Sequence, residues 1–141
     1  MAEQVIVRQK SNFETVVLAR DPHNPDDQRF YTAEDVRELT PYGMLLAGLA
    51  SCTALVINTY ANHRDIDLHE VEMHLRYDRV FDEDCEQCEH IHEYRELISE
   101  KIVLNGNLTP QERQRLFQVS KHCPIHKMLL QGIEIHSELE G

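Results

Sequence analysis

The chain has 141 residues, enough for one domain (residues 1–141) that buries a core without staples. Twenty-five acidic residues against 14 basic ones give a formal net charge of −11, which argues against a nucleic-acid partner and against an anionic membrane surface, since both reward positive charge. Met1-Ala2-Glu3-Gln4 lacks the basic and apolar runs of a secretory leader, and the apolar stretch around residues 44–57 reads as too short and interrupted to span a bilayer, so a cytoplasmic protein is expected.

Val5-Ile6-Val7 and Phe13 to Leu18 are rich in β-branched residues and predict a hairpin turning near Lys10-Ser11-Asn12, with a third short strand within residues 28–33. Thr40-Pro41 is a helix start, a capping hydroxyl followed by proline at the first helical position. The helix it opens runs to about Asn62 and is apolar on nearly every face, which predicts a central buried helix carrying Cys52. Val71, Met73, Leu75 and Tyr77 alternate with Glu72, His74, Arg76 and Asp78, the pattern of a half-exposed strand, and a second long strand covers about residues 94–104. Thr109-Pro110-Gln111-Glu112 is a capping box that opens a helix to about His122. Cys123-Pro124 begins a short helix closed by Gly132, and Ile133 and Ile135, alternating with Glu134 and His136, predict a last strand. The class expected is a single α+β domain.

Between the two long strands lies Cys85-Glu86-Gln87-Cys88-Glu89-His90-Ile91-His92. Cys85, Cys88, His90 and His92 are ligand types that zinc prefers, but they sit closer together than the usual two ligand pairs, and acidic neighbours disfavour a metal-free thiolate. A solvated acidic loop is preferred over a zinc site, and a zinc site over a dithiol switch.

Four cysteines in a reducing compartment point to catalysis, sensing or metal binding rather than to structural disulfides. Cys123 falls at a helix N-cap between His122 and His126, where free amides and the helix dipole favour a thiolate; the competing reading is a cap without chemistry. Cys52, in mid-helix among apolar residues, would be inert unless the fold brings a cation to it. Taken together the two suggest thiol redox chemistry on a small apolar substrate.

The run from Thr40 to Ala54, with Cys52 near its end, resembles the first-cysteine helix of the OsmC/Ohr family, the osmotically inducible and organic hydroperoxide resistance proteins. His122-Cys123-Pro124 resembles that family's second-cysteine motif, and the order of elements matches over nearly the whole chain. The resemblance implies the OsmC-like fold, antiparallel sheets wrapped around a central cysteine-bearing helix in an intertwined homodimer. It implies a cysteine-based thiol peroxidase that needs no cofactor, reduces small organic hydroperoxides, and is restored by a dithiol reductant. Cys52 would be the peroxidatic thiol and Cys123 the resolving one. Family peroxidases carry a glutamate ten residues before the first cysteine, where this chain has Tyr42. That glutamate orients an arginine from an early strand or loop, for which Arg8, Arg20, Arg29 and Arg37 are the candidates. The departure suggests a divergent branch, and its alternative reading is a catalytically weak protein that binds a ligand or metal or senses redox state.

Overall fold

The computed structural model describes residues 2–81 and 94–141. Five antiparallel strands form one sheet in the order β3-β2-β1-β4-β5: β1 (Ala2–Lys10), β2 (Thr15–Arg20), β3 (Phe30–Thr32), β4 (Leu68–Phe81) and β5 (Tyr94–Gly106). The hairpin of β1 and β2 pairs Val5 with Ala19 and Val7 with Val17. On β4 the alternation has its predicted effect: Val71, Met73, Leu75 and Tyr77 are buried, while Glu72, His74, Arg76 and Asp78 lie on the wetter face.

The helix α1 (Pro41–His63) crosses the buried face of the sheet. Thr40 Oγ1 accepts from the Gly43 amide at 2.9 Å and Pro41 occupies the first turn, as the sequence predicts. Leu46, Leu49, Ala50 and Ile57 pack against Val5, Val7, Val71, Met73 and Leu75 in a single core. One buried polar link ties this helix to the sheet. Asn58 Nδ2 donates to Gln9 Oε1 at 3.0 Å and to the Gln9 carbonyl at 3.4 Å, and Gln9 Nε2 in turn reaches Thr15 Oγ1 at 3.0 Å.

At 23 residues, with an 18-residue window of mean hydropathy 1.6, α1 is long and apolar enough to cross a membrane. Length therefore does not exclude a span, contrary to the sequence reading. What marks α1 as a core helix is that ten of its residues are buried in the fold. Within one chain, burial does not extend to every face of α1. Met44, Leu45 and Leu55 are exposed, and nothing lies within 4 Å of where a Cβ on Gly48 would sit. A five-stranded sheet covers one side of a helix and leaves a stripe open.

The helix α2 (Pro110–Val119) starts with the predicted box, Glu112 donating its amide to Thr109 Oγ1 at 3.1 Å while its carboxylate accepts from the Thr109 amide at 2.9 Å. It buries Leu116 and Val119 and stops three residues early, passing into a 3-10 turn at Ser120–His122. The helix α3 (Pro124–Gln131) follows, ended by Gly132 at φ 81°. The predicted last strand does not form. Residues 132–141 lie outside any strand or helix, with Ile133 64% and Ile135 82% exposed. Their alternation is strand-like, but among the described residues no strand pairs with them to complete the ladder.

Gly106 closes the β4–β5 pairing against the turn before β4. A Cβ added there would collide with the Asp67 carbonyl oxygen and lie 3.0 Å from Leu68 Cα, both backbone atoms that cannot swing aside. Gly106→Ala is expected to cost about 1–3 kcal/mol, read as a lower urea midpoint with unchanged slope.

Candidate active site

Folding brings Cys52 and Cys123 together. Cys52 lies on the side of α1 that meets the C-terminal helices, and Cys123 sits at the joint between the 3-10 turn and α3, fully buried. Their Sγ atoms are 2.8 Å apart, and both thiols are free. Pro124 at the first position of α3 fixes the turn that aims Cys123 inward.

The start of α3 does not act as the sequence suggested. Cys123 makes no capping bond to the helix amides. The amide of Ile125 is directed instead at the Cys52 sulfur, where it favours the thiolate. Burial outweighs it: desolvation, and then the hydrogen bond with Cys123, push the Cys52 thiol above its ordinary value of 9.0. No arginine acts on Cys52 among the described residues. Arg8 pairs with Glu70 at 3.0 Å, Arg29 with Asp27 at 3.0 Å and Arg37 with Asp35 at 3.1 Å, while Arg20 lines surface clefts with Asp21 and Pro22.

Tyr42 has a partner that sequence reasoning missed. Its hydroxyl accepts from Arg79 Nη2 at 2.8 Å, and its ring stacks on Tyr77 with centroids 4.4 Å apart. Arg79 Nε also points at the Tyr77 hydroxyl at 3.4 Å, and that hydroxyl donates to Glu96 Oε1 at 2.7 Å. The hydrogen bonds to Tyr77 and Tyr42 hold the Arg79 guanidinium more firmly protonated than usual, and burial raises the Tyr77 phenol. Arg79 stands at the far end of β4, 37 residues from Tyr42, so no local pattern joins them.

This cluster stands beside a cavity of about 580 Å³ between α1, β5 and α3, lined by Tyr42, Leu45, Leu49, Ile98, Leu129 and His126 among others. Leu45, Leu49 and Cys52 follow one another along one stripe of α1, so the apolar wall of the cavity leads toward the sulfur. His126 Nδ1 is 3.9 Å from Glu100 Oε1 on the cavity wall. Cys85, Cys88, His90 and His92, the residues of the zinc reading, lie outside the described residues.

A helix-on-sheet α+β scaffold that joins two thiols across 71 positions defines a paired-cysteine protein. Residues 33–138 match the family model for OsmC-like proteins, and the chain belongs to that family. It is similar in fold to an OsmC-like hydroperoxide resistance protein from Jannaschia sp. CCS1, at 18% identity over 99% of this chain and 94% of that one, with a TM-score of 0.58. It also aligns with an OsmC-like protein from Mycoplasma pneumoniae, at 21% identity over 91% of this chain and 86% of that one, with a TM-score of 0.49. No curated protein matches the sequence.

A thiol raised by burial binds its proton more tightly folded than unfolded. Its contribution to stability is therefore complete below the unfolded pKa and is lost as pH rises through the folded one. In Cys123→Ser, the rate of Cys52 alkylation by iodoacetamide is expected to rise with an inflection above pH 9.0. An inflection near neutrality would show that a cation reaches the sulfur.

Proposed function

We propose that the chain is a cysteine-based thiol peroxidase that reduces organic hydroperoxides in oxidative-stress defence, acting in the cytoplasm, where Cys52 and Cys123 stay reduced between turnovers. The observation that carries this reading is the 2.8 Å contact between the two sulfurs. The Cys52 thiolate attacks the terminal oxygen of the hydroperoxide, the O–O bond breaks, and the alkoxide leaves as an alcohol after taking a proton. Cys52 is then a sulfenic acid. The Cys123 thiol attacks its sulfur, forming the Cys52–Cys123 disulfide and releasing water. A dithiol reductant returns both thiols and is itself oxidised to a disulfide. The apolar wall of Leu45 and Leu49 suits an alkyl or aryl hydroperoxide better than hydrogen peroxide.

The raised Cys52 thiol favours a second reading, a catalytically weak member that binds a ligand or senses redox state. Burial pushes the Cys52 thiol up, which disfavours the attacking thiolate. In the same direction, Tyr42 stands where family peroxidases carry a glutamate. Two outcomes separate the readings. Stoichiometric cumene hydroperoxide is expected to remove both thiols and form the Cys52–Cys123 disulfide, with sustained turnover when dithiothreitol is supplied. Cys52→Ser is expected to abolish consumption; a variant as fast as the parent would defeat the peroxidase reading. Oxidation once, without turnover, would favour the sensor.

A homodimer is part of the same proposal. Met44, Leu45 and the bare Gly48 form an exposed apolar stripe on α1, and Leu130, Ile133, Ile135 and Leu139 are exposed beyond α3. A second copy covering the stripe and pairing with residues 133–136 would bury both. Light scattering is expected to give twice the chain mass of 16.5 kDa, and Gly48→Glu is expected to shift the protein toward monomer.

A further inference from the structure

At the C-terminal end of α1 a second cavity, about 640 Å³, opens between α1 and α2. Leu55, Val56 and Val119 form its apolar wall, and Tyr60 stands at its rim. Its lining holds two guanidiniums, Arg64 and Arg115, and two imidazoles, His63 and His122, and no carboxylate. In a chain of net charge −11 this is unusual company. Four other cavities on the described residues each carry at least one carboxylate.

The two guanidiniums are held in place without being neutralised. Arg115 Nε donates to the Tyr60 hydroxyl at 2.8 Å, and its Cζ lies 5.6 Å from the ring centroid. Arg64 Cζ lies 5.2 Å from the same centroid. Arg8, Arg29, Arg37 and Arg76 all have carboxylate partners, but among the described residues no carboxylate pairs with Arg64 or Arg115. The carbonyl end of α1 contributes about half a negative charge nearby, which is less than either guanidinium supplies. The cavity volume falls in the range of small-molecule sites, and a planar fork of donors matches a carboxylate.

We infer that this cavity binds an amphipathic anion, an apolar chain ending in a carboxylate, with the head held by Arg64 and Arg115 on Tyr60 and the chain laid along Leu55, Val56 and Val119. The inference stands apart from the chemistry of Cys52. Octanoate and octanol share a chain and differ in the head, so titration calorimetry of the full chain with each is the test. Octanoate is expected to bind at least tenfold more tightly than octanol, and the double variant Arg64→Gln, Arg115→Gln is expected to lose at least tenfold for octanoate and little for octanol. Equal affinity for the two ligands on the parent chain, or undiminished octanoate binding by the folded double variant, would overturn the proposal. So would flotation with phosphatidylglycerol vesicles in the absence of octanoate binding, which would assign the basic rim to a lipid surface.

Discussion

Everything in this molecule depends on the packing of one apolar helix across one sheet. Leu46, Ala50 and Ile57 meet Val5, Val7, Val71, Met73 and Leu75, and all of these side chains are essentially withdrawn from water. Burial of this kind contributes about 25 cal/mol per Å² of apolar surface, and here it unites β1, β4 and α1 in one core. The small residues of α1 let the sheet approach closely on one side. They also leave a helix that a single copy of the chain does not fully cover.

The Cys52 sulfur inherits its character from that packing. A cysteine in mid-helix, half-buried beside a core, is pushed toward the protonated thiol by desolvation. The amide of Ile125, from the start of α3, opposes the push. The end of a short helix thus serves the sulfur across from it rather than the sulfur that caps it. The protonation of Cys52 is a competition between a low dielectric and a few oriented dipoles, with the Cys123 sulfur 2.8 Å away.

Much of the fold was legible in the sequence because its signals are local. Thr40-Pro41, the alternation over residues 71–78, and the Thr109 to Glu112 box each write their structure within a few positions. The pairing of Cys52 with Cys123 was not legible from spacing; it was suggested by the settings of the two cysteines and by the family resemblance. Tyr42 with Arg79, and Tyr60 with Arg115, were invisible for the same reason: tertiary contacts between residues 37 and 55 positions apart leave no period in the chain. The strand expected at residues 133–136 shows the opposite failure. Its alternation is genuine, yet a strand exists only beside another strand, and a sequence pattern carries no information about the neighbour.

The buried amide of Asn58 has a consequence for the sulfur six positions before it. Side chains six residues apart on an α-helix are separated by about 120° around its axis. Anchoring Asn58 to Gln9 on β1 therefore indexes the rotation of the whole helix, much as a key fixes a shaft. Apolar contacts alone would tolerate some turning of so evenly greasy a cylinder. A buried amide with fixed acceptors on β1 does not, and so the direction in which Cys52 faces is set in part nearly two turns away, by an asparagine that does not touch either sulfur.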